Sequence, residues 1–176
     1  EQLKPGLQRA IDTDSLKILL SGTAAAITAH QEDDSVHDRW KNHQMWSAET
    51  TKYGYEYGQY AIGAFLALGQ TYFDHDNGIN HIRSLVANGV VTITLKYSAQ
   101  RERPDKSNNV SFPSGHSSDA FTTATSLTYA YGWKAAVIFY PIATYVALSR
   151  VADEKHWLSD ITAGAFIGVW MGRSFY

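Results

Sequence analysis

The 176-residue sequence contains no cysteine, which excludes a disulfide framework, a thiolate metal centre and a cysteine nucleophile. It also lacks a charge excess. Fifteen Lys+Arg against seventeen Asp+Glu leave a net charge of −2, so the chain as a whole is not drawn to a nucleic-acid backbone, and a bound anion requires a local cluster of cations. Long apolar runs are missing as well. A spanning helix takes roughly 18 or more consecutive apolar residues. The stretch between Glu56 and Asp74 is diluted by Gln59, Gln70 and several glycines, and the one between Lys134 and Arg150 is shorter and contains Pro141. Neither reads as a span, and 44% hydrophobic residues, 18% charged residues and a mean hydropathy of −0.27 describe a globular chain. The length suits one domain, residues 1–176. A start at Glu1 rather than Met fits an exported precursor that has lost a signal peptide.

Strand-like alternation is nearly absent, whereas helical spacing recurs. Leu16, Leu19, Leu20, Ala24 and Ile27 form one apolar stripe, and Tyr60, Phe65, Leu66 and Leu68 another. Further helices are expected from about Ile82 to Gln100, Ser114 to Tyr131, Trp133 to Ser149 and Trp157 to Ser174, with breaks at Pro104, Pro113 and Gly132. The fold class is therefore all-α, a single-domain helical bundle. Asp33 to Trp46 reads as a solvated helix face carrying two packed indoles, Trp40 and Trp46. The aromatic run Tyr53, Tyr55, Tyr57 and Tyr60 reads as core packing, with the wall of a substrate groove as its alternative.

Three short segments each bring together groups that suit a phosphate. Lys96 and Arg103 are seven apart, so they converge on one side of a helix that continues nearly to Pro104. Pro113-Ser114-Gly115-His116 precedes a helix, and a helix N-terminus presents free N–H groups and partial positive charge to an oxyanion. His156 and Asp160 stand at i, i+4, where a carboxylate can hold one imidazole nitrogen and leave the other as a nucleophile. Arg150, at the end of the preceding helix, offers a planar fork to phosphate oxygens.

In order these segments read Lys96, six residues, Arg103-Pro104; then Pro113-Ser114-Gly115-His116; then Ser149-Arg150, five residues, His156, three residues, Asp160. This resembles the three-part signature of the type 2 phosphatidic acid phosphatase superfamily, which includes lipid phosphatases, bacterial non-specific acid phosphatases and vanadium haloperoxidases. The resemblance implies hydrolysis of phosphomonoesters or pyrophosphates, lipid-borne or soluble, through a phosphohistidine. His156 would be the nucleophile, Asp160 its partner and His116 the proton donor and acceptor. Lys96, Arg103, Ser114, Gly115 and Arg150 would bind the phosphate. Val110-Ser111-Phe112 departs from the Gly-Ser-Tyr that begins the middle motif in the acid-phosphatase branch. The alternatives are a vanadate-dependent haloperoxidase, generally a much longer chain, and a phosphate-binding protein without turnover.

No cofactor or metal is expected, since three cations replace a metal ion at the transferring phosphoryl group, and vanadate is expected as an inhibitor. Vanadate would be a cofactor only under the haloperoxidase alternative. Asp74-His75-Asp76-Asn77-Gly78 fails as a calcium loop, because Leu85 stands where a bidentate Glu is required, and reads as a turn. Asp33, Asp34, His37 and Asp38 read as solvated charges rather than a metal site. The expected partner is a phosphorylated small molecule or lipid phosphate, not nucleic acid. The expected location is exported or periplasmic, with peripheral membrane contact through Trp40, Trp46 and the tyrosine run.

Overall fold

The computed structural model describes residues 3–43, 45–58 and 60–176, apart from the side chains of Leu3 and Tyr60. Among them are nine helices and no strand: α1 (Leu3–Ala10), α2 (Thr13–Gln31), α3 (Asp33–His43), α4 (Ala48–Tyr57), α5 (Tyr60–Phe73), α6 (His75–Ala99), α7 (Gly115–Tyr131), α8 (Trp133–Ala152) and α9 (Leu158–Ser174). Side chains outside the helices mark several starts. Asp12 accepts from the Ser15 N–H at 2.8 Å to begin α2, and Ser47 accepts from the Thr50 N–H at 3.1 Å to begin α4. Asp74 to Gly78, expected as a turn, leads instead into the first turn of α6, where Gly78 lies against the backbone of Thr71.

The α7–α9 pair forms the centre of the bundle, and glycine makes its close approach possible. Gly164, Gly168 and Gly172 fall on one face of α9. A Cβ added at these positions would lie 2.6 Å from the Ser114 carbonyl oxygen, 2.4 Å from that of Ser118 and 2.8 Å from that of Thr122. Gly168→Ala should therefore push backbone against backbone and destabilise the fold by about 1–3 kcal/mol, measured as a drop in thermal midpoint. An unchanged midpoint would mean that α9 stands further from α7 than these distances indicate.

The interior is rich in polar side chains beside a small apolar cluster of Ala147, Val151 and Ile161, and much of the periphery is apolar. His81, Ser84, Asn88 and Thr92 line one buried face of α6. His81 hydrogen-bonds Gln70 Oε1 at 3.0 Å and Thr123 Oγ1 at 3.3 Å. Asn88 and Thr92 meet Ser118 Oγ at 3.3 and 3.1 Å. The predicted apolar stripes mark helices correctly but face outward. Leu16, Leu20 and Ile27 on α2 and Phe65 and Leu68 on α5 are exposed, as are Val86, Val90 and Ile93 on α6. The stretch around Pro141, dismissed as a span from the sequence, runs as the 20-residue helix α8 straight through the proline. Among the described residues α8 is the one helix whose length and composition suffice to cross a membrane.

Candidate active site

The site lies where α7 and α9 begin and α6 and α8 end. Ser114 caps α7, its hydroxyl accepting the Ser117 N–H at 3.4 Å. The two helix starts are stitched together: the Ser114 N–H donates to the Asp160 carbonyl at 3.0 Å, and Ser117 Oγ donates to that of Ile161 at 2.7 Å. Gly115 opens α7, with His116 next to it, and the His116 ring lies 5.1 Å from that of Tyr55.

Helix α6 stops at Ala99, because Gln100 turns into the left-handed region at φ 45°. The expected convergence of Lys96 and Arg103 along a continuous helix is thus corrected, and the loop carries Arg103 instead. Lys96 Nζ donates to the carbonyls of Val110 and Pro113, both at 2.7 Å. Arg103 Nε donates to Asn108 Oδ1 at 2.8 Å, and a Lys155–Asp105 ion pair ties the same loop to the α8–α9 turn. Burial, joined by the charges of Arg150, His156, Arg103 and Lys96, lowers the pKa of His116 to about 3. All three predicted segments therefore meet at one place.

His156 sits in the turn between α8 and α9, where its N–H donates to the Arg150 carbonyl at 3.1 Å. The ring is 2% exposed, and Nδ1 stands 3.7 Å from Asp160 Oδ2, the expected partner, at more than hydrogen-bond length and with no hydrogen bond of its own among the described residues. Burial, joined by the nearby charges of Lys96 and Arg103, lowers its pKa to about 4 against the opposing pull of Asp160. That shift favours the neutral imidazole at neutral pH, the form with a lone pair on one ring nitrogen.

Arg150 is also buried, 5.1 Å above the Tyr55 ring and paired with Asp153 at 3.1 Å. Its Nε makes no hydrogen bond among the described residues, and Nη1 has only the contact with Asp153. Buried N–H groups in this state suit an anion with several acceptor oxygens. Tyr53, Tyr55 and Tyr57 are exposed by 43% to 56%, which corrects the core-packing reading; Tyr55 walls the site, and the Tyr60 side chain lies outside the described residues. Trp40 and Trp46 do pack, edge to face at 5.2 Å.

Asp160 is fully buried, and its environment includes residues that sequence reasoning missed. Its carboxylate accepts from Ser111 Oγ at 2.5 Å, from the Trp157 N–H at 2.9 Å and from Arg101 Nη1 at 2.7 Å. Arg101 continues to Asp33, which is 3% exposed and not the solvated charge expected. No group of three metal-ligating side chains gathers among the described residues.

Residues 78–176, more than half of the sequence, match the model of the PAP2 superfamily. The chain belongs to this superfamily. Among PAP2-related proteins, it is 38% identical over 84 residues to a lipid A 1-phosphatase of Porphyromonas gingivalis, covering 46% of this chain and 19% of that protein. It is 38% identical over 55 residues to a lipid A 4'-phosphatase of Helicobacter pylori, covering 31% of this chain and 28% of the relative. The matched segments thus span less than a third of either relative. The fold resembles that of Aquifex aeolicus LpxE, with a TM-score of 0.72 and 21% identity over 80% of this chain and 92% of the other. It also resembles the transmembrane PAP2-type phosphatidylglycerolphosphate phosphatase of Bacillus subtilis, with a TM-score of 0.72 and 19% identity over 89% of this chain and 90% of the other.

Proposed function

We propose that this chain is a phosphoric ester hydrolase acting on lipid phosphates through a phosphohistidine. The observation that carries the reading is a buried His156, its pKa held low, beside a buried Arg150 whose Nε lacks a hydrogen-bond partner among the described residues, with Lys96 and Arg103 close by. In the first step the Nε2 lone pair of His156 forms a P–N bond as the P–O bond to the leaving group breaks. His116, protonated once the bound phosphate dianion offsets the surrounding cations, gives its proton to the departing oxygen, and the Asp160 carboxylate balances the charge that develops on the His156 ring. In the second step water attacks phosphorus and His116 takes its proton. The P–N bond then breaks, returning neutral His156 and inorganic phosphate. Lys96, Arg103 and Arg150, with the Ser114 hydroxyl and the Gly115 N–H, stabilise the non-bridging oxygens throughout.

Three cations around one phosphoryl group supply the charge that a divalent metal would otherwise bring. Activity should therefore survive EDTA, and vanadate should inhibit as a trigonal-bipyramidal mimic. Activity lost to EDTA and restored only by a divalent ion would overturn this metal-independent reading.

A lipid substrate is supported by the outward apolar residues, which suit acyl chains better than water and seat the bundle in a bilayer with α8 as a spanning element. An apolar groove of about 860 Å³ between α2, α6 and α9, lined by Leu19, Ile27, Leu95 and Phe166, has the chemistry of an acyl-chain site. The deciding experiment is a turnover panel on detergent-solubilised protein. Lipid phosphates should exceed soluble phosphomonoesters in kcat/KM by tenfold or more on the order of one buried acyl segment, and equal values would reject a lipid substrate.

A further inference from the structure

We propose that Arg101 is a positioning residue, anchored by Asp33 of α3, which fixes the Asp160 carboxylate behind His156, so that residues preceding the family-matched segment complete the active site. The proposal rests on the phosphatase reading above for its kinetic consequences, and on geometry for the arrangement itself.

Arg101 spends both ends of its fork on carboxylates. Nη1 donates to Asp160 Oδ1 and Nη2 to Asp33 Oδ2, each at 2.7 Å. Neither carboxylate has water as an alternative, since the Asp33 and Asp160 side chains are 4% and 0% exposed. Ser159, one residue before Asp160, closes the arrangement. Its hydroxyl accepts from Arg101 Nη1 and donates to Asp33 Oδ2, both at 2.7 Å, while its N–H donates to Asp33 Oδ1 at 2.9 Å. Asp33 thus satisfies one of the otherwise unpaired N–H groups in the first turn of α9 from a different helix. His30 Nδ1 adds a further hydrogen bond to Asp33 at 2.7 Å.

Arg101 does not serve the phosphate directly. The Trp157 ring lies 5.4 Å from its guanidinium carbon, and its Nη atoms are already engaged by Asp33, Asp160 and Ser159. Its influence on the reaction passes through Asp160. Removing the guanidinium would leave Oδ1 of a fully buried carboxylate without its cation, at a site where a small misplacement of His156 costs rate. Lysine is a poor replacement, because a point charge cannot reproduce a planar fork held between two carboxylates. Asp33 lies outside residues 78–176, so the family-matched segment lacks one end of the clamp.

The test compares full-length wild type with Arg101→Ala, Asp33→Asn and Asp160→Asn in detergent, using an alkyl phosphate and ¹⁵N-histidine NMR. Arg101→Ala is expected to lower kcat by roughly 30-fold or more with KM within about threefold, the pattern of lost transition-state alignment rather than lost binding. Added guanidinium ion should restore part of kcat, and Arg101→Ala should cost little once Asp160→Asn is present, because both act on one contact. The NMR spectrum should hold His156 as the Nδ1–H tautomer in wild type and as a tautomer mixture in Arg101→Ala and Asp33→Asn. Should Arg101→Ala fail to fold, the near-isosteric Asp33→Asn carries the same measurements.

A raised KM with unchanged kcat, or losses that multiply with Asp160→Asn, would overturn the proposal by placing Arg101 on the substrate. An unchanged His156 tautomer in both clamp variants would overturn it on structural grounds. A wild type without turnover on any phosphate ester rejects the phosphatase reading separately, and the tautomer measurement still decides the clamp.

Discussion

His156→Ala is expected to lose turnover by roughly 10⁴-fold or more, the scale seen when a covalent nucleophile is removed, and to yield no acid-labile phosphoenzyme on rapid quenching. In the proposed mechanism His116 cannot replace it, since a proton donor cannot also offer a lone pair to phosphorus in the same step. The wild-type intermediate should be identified by its phosphorus NMR signal as an N-linked phosphate. A phosphoenzyme that persists in the alanine variant would move the nucleophile elsewhere. The same variant also tests the environment of the ring. In the unfolded chain His156 takes up a proton near pH 6.5, but in the folded chain only near 4. The unfolded state therefore binds the proton first as pH falls, and this histidine's contribution to stability is lost between those two values. His156→Ala should flatten that part of the stability profile, as followed by denaturant midpoints between pH 4 and 7.

His116→Ala is expected to separate substrates by their leaving groups. With an alkyl phosphate the departing oxygen is strongly basic and requires a proton, so the loss should be about 10²–10⁴-fold, the range for a general acid. A nitrophenolate departs without one, so the nitrophenyl ester should lose at least roughly tenfold less. The alkaline limb of the alkyl-phosphate profile should disappear together with the side chain. Equal damage to both esters, with the limb retained, would remove His116 from the role of acid.

The segments that meet at the candidate site were legible because their information is local. The Pro-Ser-Gly-His start of α7, the i, i+4 pair of His156 and Asp160, and Arg150 at the end of α8 each require only a few residues of context. The interactions missed are long-range. Nothing in the run of charges from Asp33 to Asp38 distinguishes the one that reaches Arg101, 68 residues away, from those that remain in water. Helical periodicity also identifies an apolar face without saying which way it looks. Leu16, Leu20 and Ile27 gave α2 correctly, but the partner face was supplied by smaller residues such as Gly22, which lies against Phe166. Pro141 weighed against a long apolar element, yet one missing N–H does not end a helix whose neighbouring turns are intact.

The three glycines of α9 set a ruler for the chemistry. With their backbone pressed on that of α7, and the Ser114–Asp160 and Ser117–Ile161 hydrogen bonds fastening one end, α9 cannot slide by a single residue without breaking the contact along its length. Such a slip, about 1.5 Å along the axis, would carry Asp160 and the turn bearing His156 away from His116 on the facing helix. Reaction geometry is sensitive to displacements of about 1 Å. Gly172, roughly 12 Å along α9 from Gly164, touches no reacting group, yet it helps to keep the two histidines in phase.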